Sequence, residues 1–186
     1  IFFRAMQHPC IDTHQHLWDL KKFNVPWLDG LDAINRSFMT SDYMEATANS
    51  NVTKAVYMEV DVAADQKLKE AEHIIGLCQD DAAPTVAAVI AGNPSAPDFA
   101  DFCARFRGSP YIKGIRQVLH TPEFPRGYCL SPEFQKGVQL LGDAGLSFDV
   151  CMRPSELADA AALATACPGT RFIVDHCGNA DPYIVN

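Results

Sequence analysis

Two histidines near the start of the chain, His14 and His16, are separated by one residue and follow Asp12. Alternate residues of a β-strand point to the same face, so a strand here would place these three side chains in one polar row. Two imidazoles that project together near the carboxyl end of a strand can bind a divalent metal. The alternative is a pair of hydrogen-bonded histidines at a loop mouth. Because the pair falls on the first strand of a repeated β/α series, we favour the metal or active-site interpretation.

Other polar side chains fall at or near the ends of predicted strands. Arg116 is placed near the end of the fourth strand, where its guanidinium can hold a carboxylate or polarise a carbonyl through paired N–H donors. A salt bridge at the rim of the fold is an equally good explanation for Arg116. The same argument applies more weakly to Arg153. Further candidates for substrate contact are Lys113, Glu59, His120 and Trp18, although Trp18 is equally suited to packing the first loop.

The elements that must position these residues alternate along the chain. Short strand-like segments, several of them rich in Val, Ile and Phe, predict strands at 10–17, 54–60, 85–91, 111–119, 146–152 and 171–177. Amphipathic or capped segments between them predict helices at 40–49, 64–79, 97–106, 131–145 and 155–166. This alternation predicts a parallel sheet with right-handed crossovers, either an open doubly wound sheet or a (β/α)₈ barrel. The absence of a Gly-rich phosphate loop after any strand disfavours nucleotide binding.

Composition excludes several classes of protein. The chain has 186 residues, a net charge of −8 and 48% hydrophobic residues, which is typical of a folded globular protein rather than a disordered one. Its acidity argues against nucleic acid and anionic membranes as partners. No apolar run reaches the roughly 18 residues of a membrane-spanning helix, and no export signal is recognisable. Seven scattered cysteines without CxxC spacing indicate reduced thiols, so we expect a cytoplasmic protein.

Four segments together resemble the amidohydrolase-related family, in particular its sugar-lactonase-like branch of metal-dependent hydrolases. These segments are residues 12–18, 113–120, 148–154 and 172–179. The resemblance implies a (β/α)₈ barrel with its site at the carboxyl ends of the strands. His14 and His16 match the family's first-strand H-x-H. His176 matches the histidine that ends the sixth strand and serves as a metal ligand or an acid–base group.

The family pattern extends beyond the segments that this sequence contains. The acidic residue that ends the eighth strand of the family has no counterpart, and we count six strands. We therefore expect a tail over residues 1–9 and an amidohydrolase barrel domain over 10–186 that is truncated at its carboxyl end, with about six of eight β/α units.

The resemblance implies hydrolysis of a sugar-acid lactone or a lactone from aromatic degradation. We expect a divalent metal, with zinc as first choice, at His14, His16 and His176. Without a tightly held ion, His176 or the acidic residue that has no counterpart here would serve as general base on water, and Arg116 would anchor the substrate in either case. The alternatives are a non-oxidative decarboxylase of the same superfamily and a non-catalytic partial barrel. The expected partner is a small lactone or carboxylate, and a homo-oligomer stays open.

Overall fold

The computed structural model describes residues 8–181 and residue 183, so residues 1–7 of the predicted tail lie outside it. Within the described residues the chain forms two compact units. The first unit ends at Ala91, and the second begins at Gly92. The single domain expected over 10–186 stays a prediction.

The first unit is a three-stranded parallel sheet with two helices. Its strands β1 (Cys10–Gln15), β2 (Val52–Met58) and β3 (Thr85–Ala91) pair in chain order. Its helices are α1 (Thr40–Thr47) and α2 (Lys67–Cys78), and α2 packs against β3. All side chains of β3 except Val86 are buried, as are Ala55, Tyr57 and Met58 of β2, which is typical of parallel strands covered by helices.

The second unit repeats the same arrangement. Its parallel strands are β4 (Ile112–Val118), β5 (Ser147–Cys151) and β6 (Arg171–Val174). Its helices are α3 (Phe99–Phe106), α4 (Pro132–Ala144) and α5 (Leu157–Ala166), and a helical turn at His176–Asn179 follows β6. Edge-to-face contacts between aromatic rings join α4 to β5 and β5 to β6. These contacts fix the strands that carry the polar residues described below.

Most predicted elements match the structure within a few residues. Helix α4 begins as predicted, because the Ser131 hydroxyl accepts the Phe134 N–H at 3.3 Å, and it ends at Gly145 in a left-handed conformation. Strands β1 and β6 end at Gln15 and Val174, two and three residues before their predicted ends. In both cases the backbone leaves the extended conformation at the candidate functional residues.

Two predictions based on composition can be compared with the described residues. None of their helices is long and apolar enough to cross a membrane. All seven cysteines lie in the described residues, and none of them forms a disulfide.

Candidate functional site

Strand β1 contains a bulge between Asp12 and Gln15, an interval that includes His14. Asp12 pairs with Ala55 and Gln15 pairs with Tyr57, so β1 has one more residue than β2 over this interval. A bulge of this kind redirects side chains and is common beside active sites. The strict alternation predicted for the Asp12, His14 and His16 row is therefore interrupted. The Asp12 carboxylate instead supports the local backbone, because it accepts the His14 N–H at 3.0 Å and a hydroxyl hydrogen bond from α1 at 2.8 Å.

The two histidines at the end of β1 lie side by side. Their ring centroids are 4.9 Å apart and the ring planes are nearly perpendicular. The Nδ1 atom of His16 lies 3.0 Å from the carbonyl oxygen of Met58, at the end of β2. Because a carbonyl only accepts, Nδ1 must carry the proton, which places the ring's lone pair on Nε2. A backbone carbonyl that fixes one ring nitrogen in this way is typical of histidines that bind a metal through the other.

Two buried carboxylates lie around the end of β2. Glu59 accepts the Asp61 N–H at 2.7 Å. Glu70, on α2, accepts the hydroxyl of Tyr57 at 2.7 Å and the N–H of Val60 at 3.1 Å. Burial and the nearby charge of Glu59 raise the pKa of Glu70 to about 7. These bonds fix the backbone that follows β2, beside the carbonyl that orients His16.

A cleft of about 610 Å³ opens beside His16 in the first unit. Its polar lining includes Tyr43, Glu45 and the ion pair between Arg36 and Asp42, whose N–O distance is 2.9 Å. The Arg36 guanidinium also lies 3.7 Å from the centre of the Phe38 ring. The cleft therefore offers hydrogen-bonding groups of both charges next to an imidazole.

In the second unit, Arg116 forms a buried ion pair. Its guanidinium donates to the Asp175 carboxylate at 3.2 Å, and these side chains are only 5% and 2% exposed. Asp149 on β5 is paired in register with Arg116 and is also buried. Burial and the charge of Asp175 raise the pKa of Asp149 to about 7. The structure thus gives Arg116 the ion-pair arrangement that was the alternative to substrate contact.

The chain adopts a strained conformation where β6 ends. His176, Cys177, Gly178 and Asn179 have successive φ values of 49°, 53°, 75° and 55°. This left-handed region costs most residues roughly 1–2 kcal/mol each and is tolerated best by glycine and asparagine. Two backbone hydrogen bonds hold the start of the turn. The Asp175 N–H donates to the carbonyl of Val150, and the Gly178 N–H donates to the carbonyl of Asp175. Strain of this kind is concentrated at functional sites, which supports the choice of His176.

The remaining candidates in the second unit lie near the start of β4 and in the loops that follow β4 and β5. The Arg153 guanidinium donates to the carbonyls of Thr121 and Phe124 and to Glu156, so it secures the loop after β4. His120 is exposed on that loop, with Nδ1 3.5 Å from the Cys151 sulfur. Lys113 is exposed at the second position of β4, near the amino end of the strand rather than the end expected to carry the site.

Trp18 packs the long loop after β1. Its ring contacts Trp27 and Phe38 at centroid distances of 5.9 and 4.9 Å, and its N–H donates to the Arg36 carbonyl at 2.7 Å. This arrangement is the loop-packing role that the sequence left open beside a pocket wall.

The sequence analysis did not identify Asp149 and Asn179 as part of the candidate site in the second unit, where they lie near Arg116 and His176. Asp149 is a charged residue in the middle of an apolar strand, which is a usable signal of a buried polar role. Asn179 gives no comparable signal. Its structural role depends on a left-handed backbone conformation and on a hydrogen bond to the carbonyl of Met152, 27 residues away in the chain.

The family model for amidohydrolases matches residues 11–185. The chain belongs to the amidohydrolase family. A solved amidohydrolase 2 from Bifidobacterium longum subsp. infantis is 31% identical to this amidohydrolase, with a TM-score of 0.70 over 91% of this chain and 62% of that one. A curated L-fucono-1,5-lactonase from Burkholderia multivorans is 25% identical over 90% of this chain and 55% of its own length.

A crystal structure of an amidohydrolase from Burkholderia multivorans with bound zinc has a TM-score of 0.76 at 22% identity, over 92% of this chain and 58% of that one. These likenesses confirm the predicted α/β architecture of the amidohydrolase barrel type and agree with the six strands that were predicted. This amidohydrolase spans between 55% and 62% of the length of these three relatives.

Proposed function

We propose that this amidohydrolase opens a lactone ring by hydrolysis. The observation that carries the proposal is the histidine pair at the end of β1, where the Met58 carbonyl fixes the tautomer of His16 beside the His14 ring. Histidines that bind a metal through one ring nitrogen almost always donate the other N–H to a carbonyl, a carboxylate or water, and His16 has this arrangement. The similarity to an L-fucono-1,5-lactonase supports a lactone as the substrate.

The proposed metal ligands are His14, His16 and His176. Neutral imidazoles are common ligands of zinc, and the tautomer of His16 is the one that coordination through Nε2 requires. The zinc in a structure of the same fold supports zinc as the first ion to test. A divalent ion would polarise the ester carbonyl and lower the pKa of water towards about 7. In a reaction without a tightly held ion, His176 would take the proton from the attacking water.

The proposal also includes a role for Arg116, a type of lactone and a location of the protein. Arg116 holds Asp175, and through it the backbone that leads into His176, while substrate contact by Arg116 stays a prediction. The charged and hydrogen-bonding side chains in the lining of the cleft beside His16 support an oxygen-rich sugar-acid lactone as the substrate. The free thiols support a cytoplasmic location.

Product analysis tests the proposal. The zinc-supplemented protein is incubated with L-fucono-1,5-lactone and related sugar-acid lactones, and separately with hydroxybenzoates. Faster formation of the ring-opened acid than in buffer supports the lactonase. Release of carbon dioxide from a hydroxybenzoate would support the decarboxylase instead, and no turnover of either class would support a non-catalytic barrel.

A matched pair of variants assigns the activity to the site. His16→Ala should reduce lactone opening by at least about a hundredfold if it removes one of the groups that activate water. His73→Ala is the control, because His73 lies on α2 against the Phe23 ring and has no proposed role. Equal losses in the two variants would contradict the assignment.

A further inference from the structure

The turn after β6 places two unfavourable residues in succession. His176 and Cys177 are neither glycine nor asparagine, yet both have positive φ values, of 49° and 53°. Such a segment relaxes to an ordinary conformation unless surrounding contacts hold it. The side chain of His176 takes its direction from this backbone, so whatever holds the turn also aims the imidazole.

Asn179 supplies a contact that holds the end of the turn. Its side-chain amide donates to the carbonyl oxygen of Met152 at 2.8 Å. Met152 directly follows β5 and is only 2% exposed, so the acceptor is fixed in the interior. The bond therefore ties the far end of the left-handed turn to the carboxyl end of the neighbouring strand.

The middle of the turn is seated against α5. Gly178 is buried, and a Cβ atom added there would lie 2.7 Å from a methyl carbon of Leu157. The turn is thus fixed by the Asp175 backbone at its start, by contact with α5 in its middle and by the Asn179 amide at its end. Among these contacts, the hydrogen bond to Met152 is made by the side chain of Asn179. Substitution by glycine removes this hydrogen bond and still permits the left-handed backbone.

We propose that Asn179 is a positioning residue for His176, through the hydrogen bond from its amide to the Met152 carbonyl. The inference rests on the proposed function, in which His176 acts as a ligand or a base. It adds a residue that touches neither substrate nor ion. Asparagine suits this position for two reasons, since it tolerates a positive φ and its short amide can donate to a neighbouring backbone.

The test compares two glycine variants of the same turn. Asn179→Gly permits the left-handed conformation but removes the hydrogen bond to Met152. Cys177→Gly relieves the strain at an exposed residue and keeps that hydrogen bond. Imidazole NMR of ¹⁵N-histidine-labelled protein reports the state of His176, with its signals assigned by a His176→Gln variant. Lactone opening by the zinc-supplemented protein gives kcat and KM.

The expected result is selective. In Asn179→Gly the ring signals of His176 should shift or broaden while those of His73 stay in place, and kcat should fall about tenfold with KM within about twofold, because misplacement of a reacting group by about 1 Å costs up to a hundredfold. Cys177→Gly should keep the wild-type signals and kcat. Should Asn179→Gly fail to fold, Asn179→Asp serves in its place, since aspartate tolerates the conformation but its carboxylate has no proton to donate.

The two readouts separate failure of this inference from failure of the proposed function. Unchanged His176 signals in both Asn179 variants would overturn the positioning role, whatever the activity. Altered His176 signals in a protein whose wild type opens no lactone would support the positioning role and contradict the proposed function.

Discussion

Replacing Asp149 by asparagine should change how the stability of the protein depends on pH. Asp149 lies on β5, is 2% exposed and accepts a hydrogen bond from the Ser147 hydroxyl at 3.1 Å, which an asparagine oxygen can also accept. Burial and the Asp175 charge raise the pKa of its carboxyl from 3.8 to about 7, against the smaller opposing effect of Arg116. At pH 5 the side chain is therefore protonated in the folded protein and ionised in the unfolded chain.

The sign and size of the effect follow from this difference. The folded state binds the extra proton, so this carboxyl makes the protein less stable as the pH rises from about 4 to about 7, and the loss is complete above the folded pKa. Between pH 5 and pH 8 the titration spans about 2 pH units, which corresponds to about 3 kcal/mol at roughly 1.36 kcal/mol per unit. Asparagine cannot ionise, so Asp149→Asn should gain about 3 kcal/mol relative to the wild type over this interval.

Urea denaturation of both proteins at several pH values from 5 to 8 measures the difference. The control is Asp143→Asn, which changes an exposed carboxylate on α4 and should leave the curve parallel to that of the wild type. A constant stability difference between Asp149→Asn and the wild type across the range would refute the reasoning. It would show that Asp149 is ionised in the folded protein throughout this pH range.

Two further substitutions test other parts of the second unit. Arg116→Met should lower the free energy of unfolding by roughly 3–5 kcal/mol, because it leaves the Asp175 carboxylate buried without its guanidinium; a loss below about 1 kcal/mol in urea denaturation would argue against a buried pair. Gly178→Ala should destabilise more than Gly108→Ala, since both glycines have φ near 75° but only Gly178 has neighbouring atoms in the way of a Cβ. Equal shifts of the thermal midpoint in the two glycine variants would contradict the close contact at Gly178.

The sequence predicted the order and type of the elements because hydrophobic periodicity and the residues that begin or end helices and strands are local features. Ser131 before Pro132 marked the start of α4, and the apolar run at Thr85–Ala91 matched β3 at both ends. The histidine pair at positions 14 and 16 could be identified because two histidines alternate with one residue between them on the first predicted strand. Such signals can be recognised from residues that are close together in the sequence.

The details of the candidate site depend on contacts between residues far apart in the chain. The Met58 carbonyl that orients His16 and the Asp175 carboxylate that pairs with Arg116 are 42 and 59 residues from their partners. Arg153 could be proposed as a substrate clamp only because its backbone acceptors, Thr121 and Phe124, are not recognisable in the sequence. The bulge in β1 likewise arises from pairing with β2, so alternation alone could not predict it.

Zinc binding tests the central claim most directly. The metal-free protein is titrated with zinc in an isothermal calorimeter, together with the His14→Ala, His16→Ala, His176→Ala and His73→Ala variants. We expect one ion per chain in the wild type and in His73→Ala, and at least about tenfold weaker binding in each of the other three, because each would lose a ligand. Zinc binding to His16→Ala with the affinity of the wild type, or no stoichiometric binding by the wild type, would contradict a metal site built on this histidine pair.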